Sequence, residues 1–94
     1  MTNQEKVRRA RKDLAEMIHN RMFVLEVDEG QVAERSNTQR IVVERLLKKI
    51  PNPTRSEITR IIGVLDFSKA DKRRALQYLD IFSPSKPARS RPNQ

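Results

Sequence analysis

Cysteine is absent from the sequence of 94 residues. A chain without cysteine has no disulfide framework, no thiolate zinc site and no thiol nucleophile, which excludes the protein classes that depend on them. The absence also suits the reducing cytoplasm, where disulfides are rare. We therefore expect a cytoplasmic protein whose fold is stabilised by packing alone.

Glycine and histidine are nearly as scarce, and their positions argue against an enzyme. Gly30 and Gly63 are the only glycines, so the sequence has no glycine-rich loop of the kind that cradles phosphate. His19 is the only histidine, and its neighbours in sequence offer no cysteine or aspartate partner. The carboxylates are scattered among lysines and arginines. We predict a protein that is not an enzyme and that needs no metal or other cofactor.

Long apolar runs are also missing. The sequence has no uninterrupted stretch of about 18 apolar residues, the length that a membrane-spanning helix requires. Its first twelve residues include many charged side chains and lack the apolar core of a signal peptide. We predict a soluble protein that is not exported by that route and does not cross a membrane.

What the sequence does contain is aliphatic and basic. Aromatic residues make up 4% of the chain and charged residues 34%, a composition that fits an all-helical bundle with a core of Leu, Ile, Val and Met. A single domain of this length has a marginal core, so association with a second copy would help. The 20 lysines and arginines outnumber the 12 acidic residues, and the net charge of +8 favours a polyanion, either nucleic acid or an anionic membrane surface.

Hydrophobic periodicity predicts five helices. Capping-box spacings, in which a Ser, Thr or Asp is followed three residues later by Glu or Gln, occur at Thr2, Asp28 and Thr54, and Ser68 with Asp71 offers a further cap. The predicted helices cover 7–25 with a possible start at Thr2, 29–36, 38–50, the segment from Thr54 to Leu65, and 68–82. Residues 1–82 would form the domain. Residues 83–94, with three prolines and three cations, are typical of a disordered basic tail.

The first helix begins with a run of cations. Five lysines and arginines lie between Lys6 and Lys12, where they oppose the positive end of the helix dipole. Two interpretations stay open: a solvated face, or an arm that touches DNA.

The third predicted helix is both amphipathic and basic. At about 100° per residue, one side carries Val42, Val43, Leu46, Leu47 and Ile50, and the other side is charged. Ile41 breaks the pattern, since it projects among the cations on the exposed side. An apolar side chain in that position suits contact with a thymine methyl group in the DNA major groove.

The second and third helices meet at Asn37, a residue type that tolerates the left-handed conformation of a tight turn. We interpret the pair as a helix-turn-helix with the third helix in the major groove. The alternative is an ordinary solvated helix face. In the DNA-binding interpretation Ile41 contacts a thymine methyl group, Arg45 a guanine edge or a phosphate, and Glu44 a cytosine. The full set of predicted contacts is Gln39, Arg40, Ile41, Glu44, Arg45, Lys48, Lys49, Asn52 and Arg55.

The last predicted helix, 68–82, has apolar residues over more than half of its circumference. So wide an arc exceeds what a small bundle is expected to bury, and we predict that Tyr78, Leu79 and Phe82 form a homodimer or higher oligomer. The same surface supports a second hypothesis for the function. In that hypothesis the protein is a small helical interaction module, such as an inhibitor or an antitoxin-like adaptor, and its charge only keeps it soluble.

Residues 32–53 and the helix that follows resemble the lambda-repressor-like helix-turn-helix superfamily of Cro and XRE-type regulators. The resemblance is carried by Val32-Ala33-Glu34 in the second helix, Asn37 at the turn, Gln39-Arg40 at the start of the third helix, Val43, Arg45 and Leu46 within it, and Asn52-Pro53 in the loop. The ending Gly63 to Phe67 and the apolar last helix are similar to the phage lambda CII-type activators.

This resemblance implies a sequence-specific regulator of transcription that binds double-stranded DNA, is encoded by a phage or plasmid and acts as a dimer or higher oligomer. For an activator it further implies RNA polymerase as a partner. The expected location is the cytoplasm or nucleoid of a bacterial host.

Overall fold

The structure, a computed structural model, describes residues 3–83 and forms five α-helices there, with no strand in that range. The predicted all-α fold is confirmed. The expected cap at Thr2 and residues 84–94 of the expected tail, which was predicted to cover 83–94, lie outside the described residues. The helices are α1 (Asn3–Leu25), α2 (Glu29–Ser36), α3 (Arg40–Leu47), α4 (Arg55–Val64) and α5 (Lys69–Phe82).

All five helices contribute to one hydrophobic core, which is aliphatic as the low aromatic content predicts. Phe67, Tyr78 and Phe82 are partly buried at its edge. The largest side chains that it buries completely are Leu14, Ile18, Val32, Val43, Leu46, Ile58, Ile61, Ile62, Leu65 and Leu79.

Helices α1 and α5 run antiparallel and are linked at both ends. Near the end of α1, Arg21 donates from Nε to the Leu65 carbonyl (2.9 Å) and from Nη2 to the Asp66 carbonyl (2.8 Å), in the segment that precedes α5. Near its beginning, the Arg11 guanidinium lies 5.1 Å from the centre of the Phe82 ring at the end of α5. Both acceptor carbonyls lie in the segment that directly follows α4.

The predicted caps of α2, α4 and α5 are confirmed. Asp28 accepts from the Gln31 N–H (2.8 Å), and Gln31 Oε1 accepts from the Asp28 N–H (2.9 Å). Thr54 and Glu57 form the same reciprocal pair at the start of α4. At α5, Ser68 Oγ accepts from the Asp71 N–H (3.2 Å). Each cap satisfies an amide that the first helical turn cannot pair internally.

Helix α3 is shorter than the predicted range 38–50. Thr38 and Gln39 belong to the turn before it, since Gln39 is the extended N-cap residue. At the other end, the Lys49 N–H donates to the Leu46 carbonyl (3.1 Å) and the Ile50 N–H to the Arg45 carbonyl (2.9 Å), while Lys49 has a φ of 65°. This is a Schellman ending. The helix therefore ends before Pro51, which disfavours helical geometry at the residue preceding it.

Ser83, which we predicted to begin the tail, is instead bound to the folded part. Its N–H donates to the Leu79 carbonyl (2.7 Å), and its own carbonyl accepts from Arg55 Nη1. The folded domain therefore extends one residue beyond the predicted boundary.

Candidate nucleic-acid interface

The turn between α2 and α3 consists of Asn37, Thr38 and Gln39. Asn37 adopts the left-handed conformation, with φ 57° and ψ 45°, as predicted from its residue type. The Thr38 N–H donates to the Ala33 carbonyl (2.9 Å), and the Thr38 hydroxyl bonds with that of buried Ser36 (2.8 Å). These bonds fix the direction in which α3 leaves α2.

The inner face of α3 holds the helix against the core. Val42, Val43 and Leu46 are buried, as the sequence pattern predicts, and Leu47 is partly buried. Ile50 is an exception because it is exposed, although the pattern placed it on the inner side. The Schellman ending redirects the chain after Lys48, so helical periodicity no longer applies at that position.

The outer face of α3 presents Ile41 to solvent, with 44% of its surface exposed. The predicted outward position of this side chain is therefore confirmed. Arg45 and Lys48 follow at four and seven residues, the spacing that places them on the same side of a helix as Ile41. Lys48 is exposed and Arg45 is half-buried. The outer face thus combines one apolar side chain with cations.

The start of α3 places two further predicted contact residues. Gln39 is the N-cap residue, and its side chain makes no capping hydrogen bond. Arg40 Nε pairs with Glu44 Oε2 at 3.1 Å, one turn further along the helix. The pair is exposed enough that its energy is small, and it places the guanidinium beside the carboxylate. Arg40 and Glu44 therefore form a unit in the free protein.

The segment after α3 leaves two of the predicted contact residues exposed, whereas a third is bound by other residues of the protein. Lys49 and Asn52 are exposed there. Arg55, which we expected to contact phosphate, pairs with Asp80 Oδ1 of α5 at 2.6 Å and donates to the Ser83 carbonyl. Its guanidinium is bound to the protein itself, an arrangement that depends on how α5 packs and that local sequence does not reveal.

Tyr78, Leu79 and Phe82, which we predicted to form an oligomer, all pack to some extent against the core of the monomer. Leu79 is fully buried in the core, and Tyr78 and Phe82 are partly buried against it. Helix α1 covers this side of α5, with Arg11 over the Phe82 ring. Part of the apolar arc is therefore buried within one chain, while Ile81 is 40% exposed. The oligomer and the adaptor hypothesis both stay predictions.

Sequence analysis missed the largest exposed apolar side chains of the described residues. Phe23 is 82% exposed and Val24 is 64% exposed, both near the end of α1. The signal was present, since Phe23 lies on the polar side of its helix with Lys12 and Glu16, just as Ile41 does in α3.

Among residues 3–83, no group of three or more histidines, aspartates or glutamates could hold a metal ion. Within the same range, no helix is both long and apolar enough to cross a membrane.

No protein-family model matches the chain, and no curated protein or solved structure matches it.

Proposed function

We propose that the protein is a sequence-specific regulator of transcription that binds double-stranded DNA and places α3 in the major groove. The observation that carries the proposal is the exposed Ile41 on a helix whose opposite face is anchored by Val43 and Leu46. Burial in the core does not explain an isoleucine at this position. Contact with a thymine methyl group would explain it, because proteins recognise that group through apolar contact.

The geometry of α3 supports a division of roles along the helix. Ile41 and Arg45 lie one turn apart on the same side, so that both face the groove when the helix docks. Gln39 keeps a free amide at the N-terminal end, the part of a recognition helix that contacts base edges in helix-turn-helix proteins. Glutamine pairs with adenine there and arginine with guanine.

Arg40 and Glu44 would act as a unit in this mechanism. Before binding, the carboxylate holds the guanidinium at 3.1 Å. On DNA, the Arg40 guanidinium turns to a phosphate or a guanine, and Glu44 accepts from a cytosine amino group. A wrong base would leave the carboxylate unpaired beside the phosphates, which disfavours binding.

Contacts to the DNA backbone would come from Lys48, Lys49 and Asn52, which are exposed at and after the end of α3. The net charge of +8 supplies the attraction that precedes specific contact. Arg55 takes a different role in this proposal. Its pair with Asp80 fixes the start of α4 against α5, and it reaches a phosphate only by breaking that pair.

The resemblance to the lambda-repressor-like superfamily extends the proposal to a phage- or plasmid-type regulator in the bacterial cytoplasm. It rests on the residues from 32 to 53 and on the left-handed turn at Asn37. RNA polymerase would be a partner only if the protein activates transcription.

A selection from random DNA duplexes tests the proposal. We expect the full chain to enrich a defined motif, and Ile41→Ala to lose most of its preference at one base position while it stays folded. Ile81→Ala is the matched control because Ile81, on α5, is similarly exposed at 40%. The control should enrich the wild-type motif. Failure of the wild-type chain to enrich any motif, or equal loss in both variants, would contradict the proposal.

A further inference from the structure

The end of α5 is held in place by the arginine that begins α4. Arg55 Nη2 lies 2.6 Å from Asp80 Oδ1, and Arg55 Nη1 donates to the Ser83 carbonyl. The chain connects the two helices at their other ends, through residues 65–68. The Arg55 guanidinium therefore closes the open end of the α4–α5 hairpin.

Arg55 also borders the segment that follows α3. It comes three residues after Asn52, and its partner Ser83 lines a small cavity together with Ile50 and Pro51. The end of α5 therefore lies against the segment that carries the proposed contacts to the DNA backbone. The Arg55 side chain is 30% exposed, so it is accessible from solvent in spite of its two bonds.

The stability of α5 does not explain the position of Asp80. A carboxylate near the C-terminal end of a helix is disfavoured by the negative end of the helix dipole, and α5 has no basic residue in its last turn to offset it. The Asp80 side chain is 59% exposed, so it takes no part in the core. Within residues 3–83, its ion-pair partner is Arg55 of another helix.

A carboxylate and a phosphate compete for the same guanidinium, because arginine binds the oxygens of both through the same N–H groups. We propose that Asp80 limits the affinity for DNA by holding Arg55 in the free protein until a phosphate displaces it. The inference rests on the proposed function. Contact between Arg55 and DNA then breaks the pair and leaves the Asp80 carboxylate unpaired near the phosphates. Asp80 acts through Arg55 and makes no contact with DNA itself.

A pair with a purely structural role would give a different result. Replacing Asp80 by asparagine would then change DNA binding only through the net charge, which rises by one from +8 to +9. Asp66→Asn is the matched control for this effect. The Asp66 side chain is 90% exposed and lies 3.9 Å from Arg21, and asparagine tolerates its φ of 54°.

Titration of the full chain with a mixed-sequence DNA duplex tests the inference, since phosphate contacts do not depend on sequence. Asp80→Asn should bind the duplex about fivefold more tightly than Asp66→Asn, in line with a partly exposed ion pair. Asp80→Ser is a second variant and should give the same gain. Circular dichroism checks that each variant is folded.

The same titrations with Arg55→Gln show whether Asp80 acts through Arg55. In chains that carry Arg55→Gln, Asp80→Asn and Asp66→Asn should bind equally well, because no guanidinium is left to release. In the Asp80→Asn chain, adding Arg55→Gln should flatten the slope of log K against log salt by about 0.9, as expected for one lost phosphate contact.

The outcomes separate this inference from the function on which it rests. Equal affinities for Asp80→Asn and Asp66→Asn would overturn the inference and leave DNA binding by α3 in place. A gain from Asp80→Asn that persists in the Arg55→Gln chain would overturn it as well, because Asp80 would then act through its charge alone. If no variant binds the duplex, the proposed function itself is wrong, and the inference fails with it.

Discussion

At the scale of single residues, the chain ends its helices without glycine. Glu26, Asn37, Lys49 and Asp66 all have a φ between 54° and 65°, a left-handed conformation that costs a residue with a side chain about 1 to 2 kcal/mol. Asparagine tolerates it best of the four. The described part of the chain therefore carries backbone strain at three helix ends where glycine would relieve it.

Glu26→Gly should stabilise the fold for this reason. Glu26 is exposed, and we expect a gain of about 1 kcal/mol, equivalent to a rise in melting temperature of about 4 to 8 °C. Gln77→Gly, at an exposed position within α5, is the control and should lower stability by about 1 kcal/mol. Thermal unfolding followed by circular dichroism measures both. A lower melting temperature for Glu26→Gly would contradict the expected relief of backbone strain at this turn.

Features that depend on neighbouring residues could be predicted from the sequence. The caps at Asp28, Thr54 and Ser68 are confirmed, as is the left-handed Asn37, because each needs only a side chain and a backbone group a few residues away. The outward position of Ile41 also followed from helical periodicity alone.

Features that depend on distant residues could not be predicted. The Arg55 pair with Asp80 joins α4 to α5 across 25 positions in the sequence. The burial of Leu79 depends on the packing of α1 against α5, and no local sequence pattern predicts that packing. Phe23 differs from these, since its outward position was readable from the same periodicity that identified Ile41.

At the scale of helices, the contact between the start of α1 and the end of α5 uses part of the apolar surface from which we predicted an oligomer. Phe82 packs against the core and lies 5.1 Å from the Arg11 guanidinium. Arg11 Nε is buried without a hydrogen-bond partner within residues 3–83. The ring contact is thus the favourable interaction that the structure provides for this guanidinium.

Phe82→Ala should therefore destabilise the fold and leave any oligomer intact. The ring is only partly buried, so we expect a loss of about 1 to 3 kcal/mol in the free energy of unfolding. Its exposed neighbour Ile81 provides the control, since Ile81→Ala should change stability by no more than about 0.5 kcal/mol. Chemical denaturation and sedimentation are measured on the same samples. Loss of mass with unchanged stability would instead support the interface on α5.

At the scale of the whole molecule, the proposed function makes the net charge a main determinant of the affinity for DNA. The segment 84–94 contains Lys86, Arg89 and Arg91 and no acidic residue, so removing it lowers the net charge from +8 to +5. We expect weaker binding to all duplexes alike and an unchanged base preference. Each phosphate contact that is lost should flatten the slope of log K against log salt by about 0.9. Titrations at several salt concentrations measure this slope, and an altered base preference would show that the segment reads sequence.

The central claim, that Ile41 reads a thymine methyl group, is tested most directly by removing the methyl group from the DNA. In the selected duplex, each thymine is replaced in turn by uracil, which differs only in lacking that methyl group, and binding is measured with the wild-type chain and with Ile41→Ala. We expect one replacement to weaken wild-type binding by about 1 kcal/mol and to have no further effect on Ile41→Ala, because the two changes remove the same contact. If no uracil replacement weakens wild-type binding, or if the two losses are additive, Ile41 does not contact a thymine methyl group and the assigned DNA-reading face of α3 is wrong.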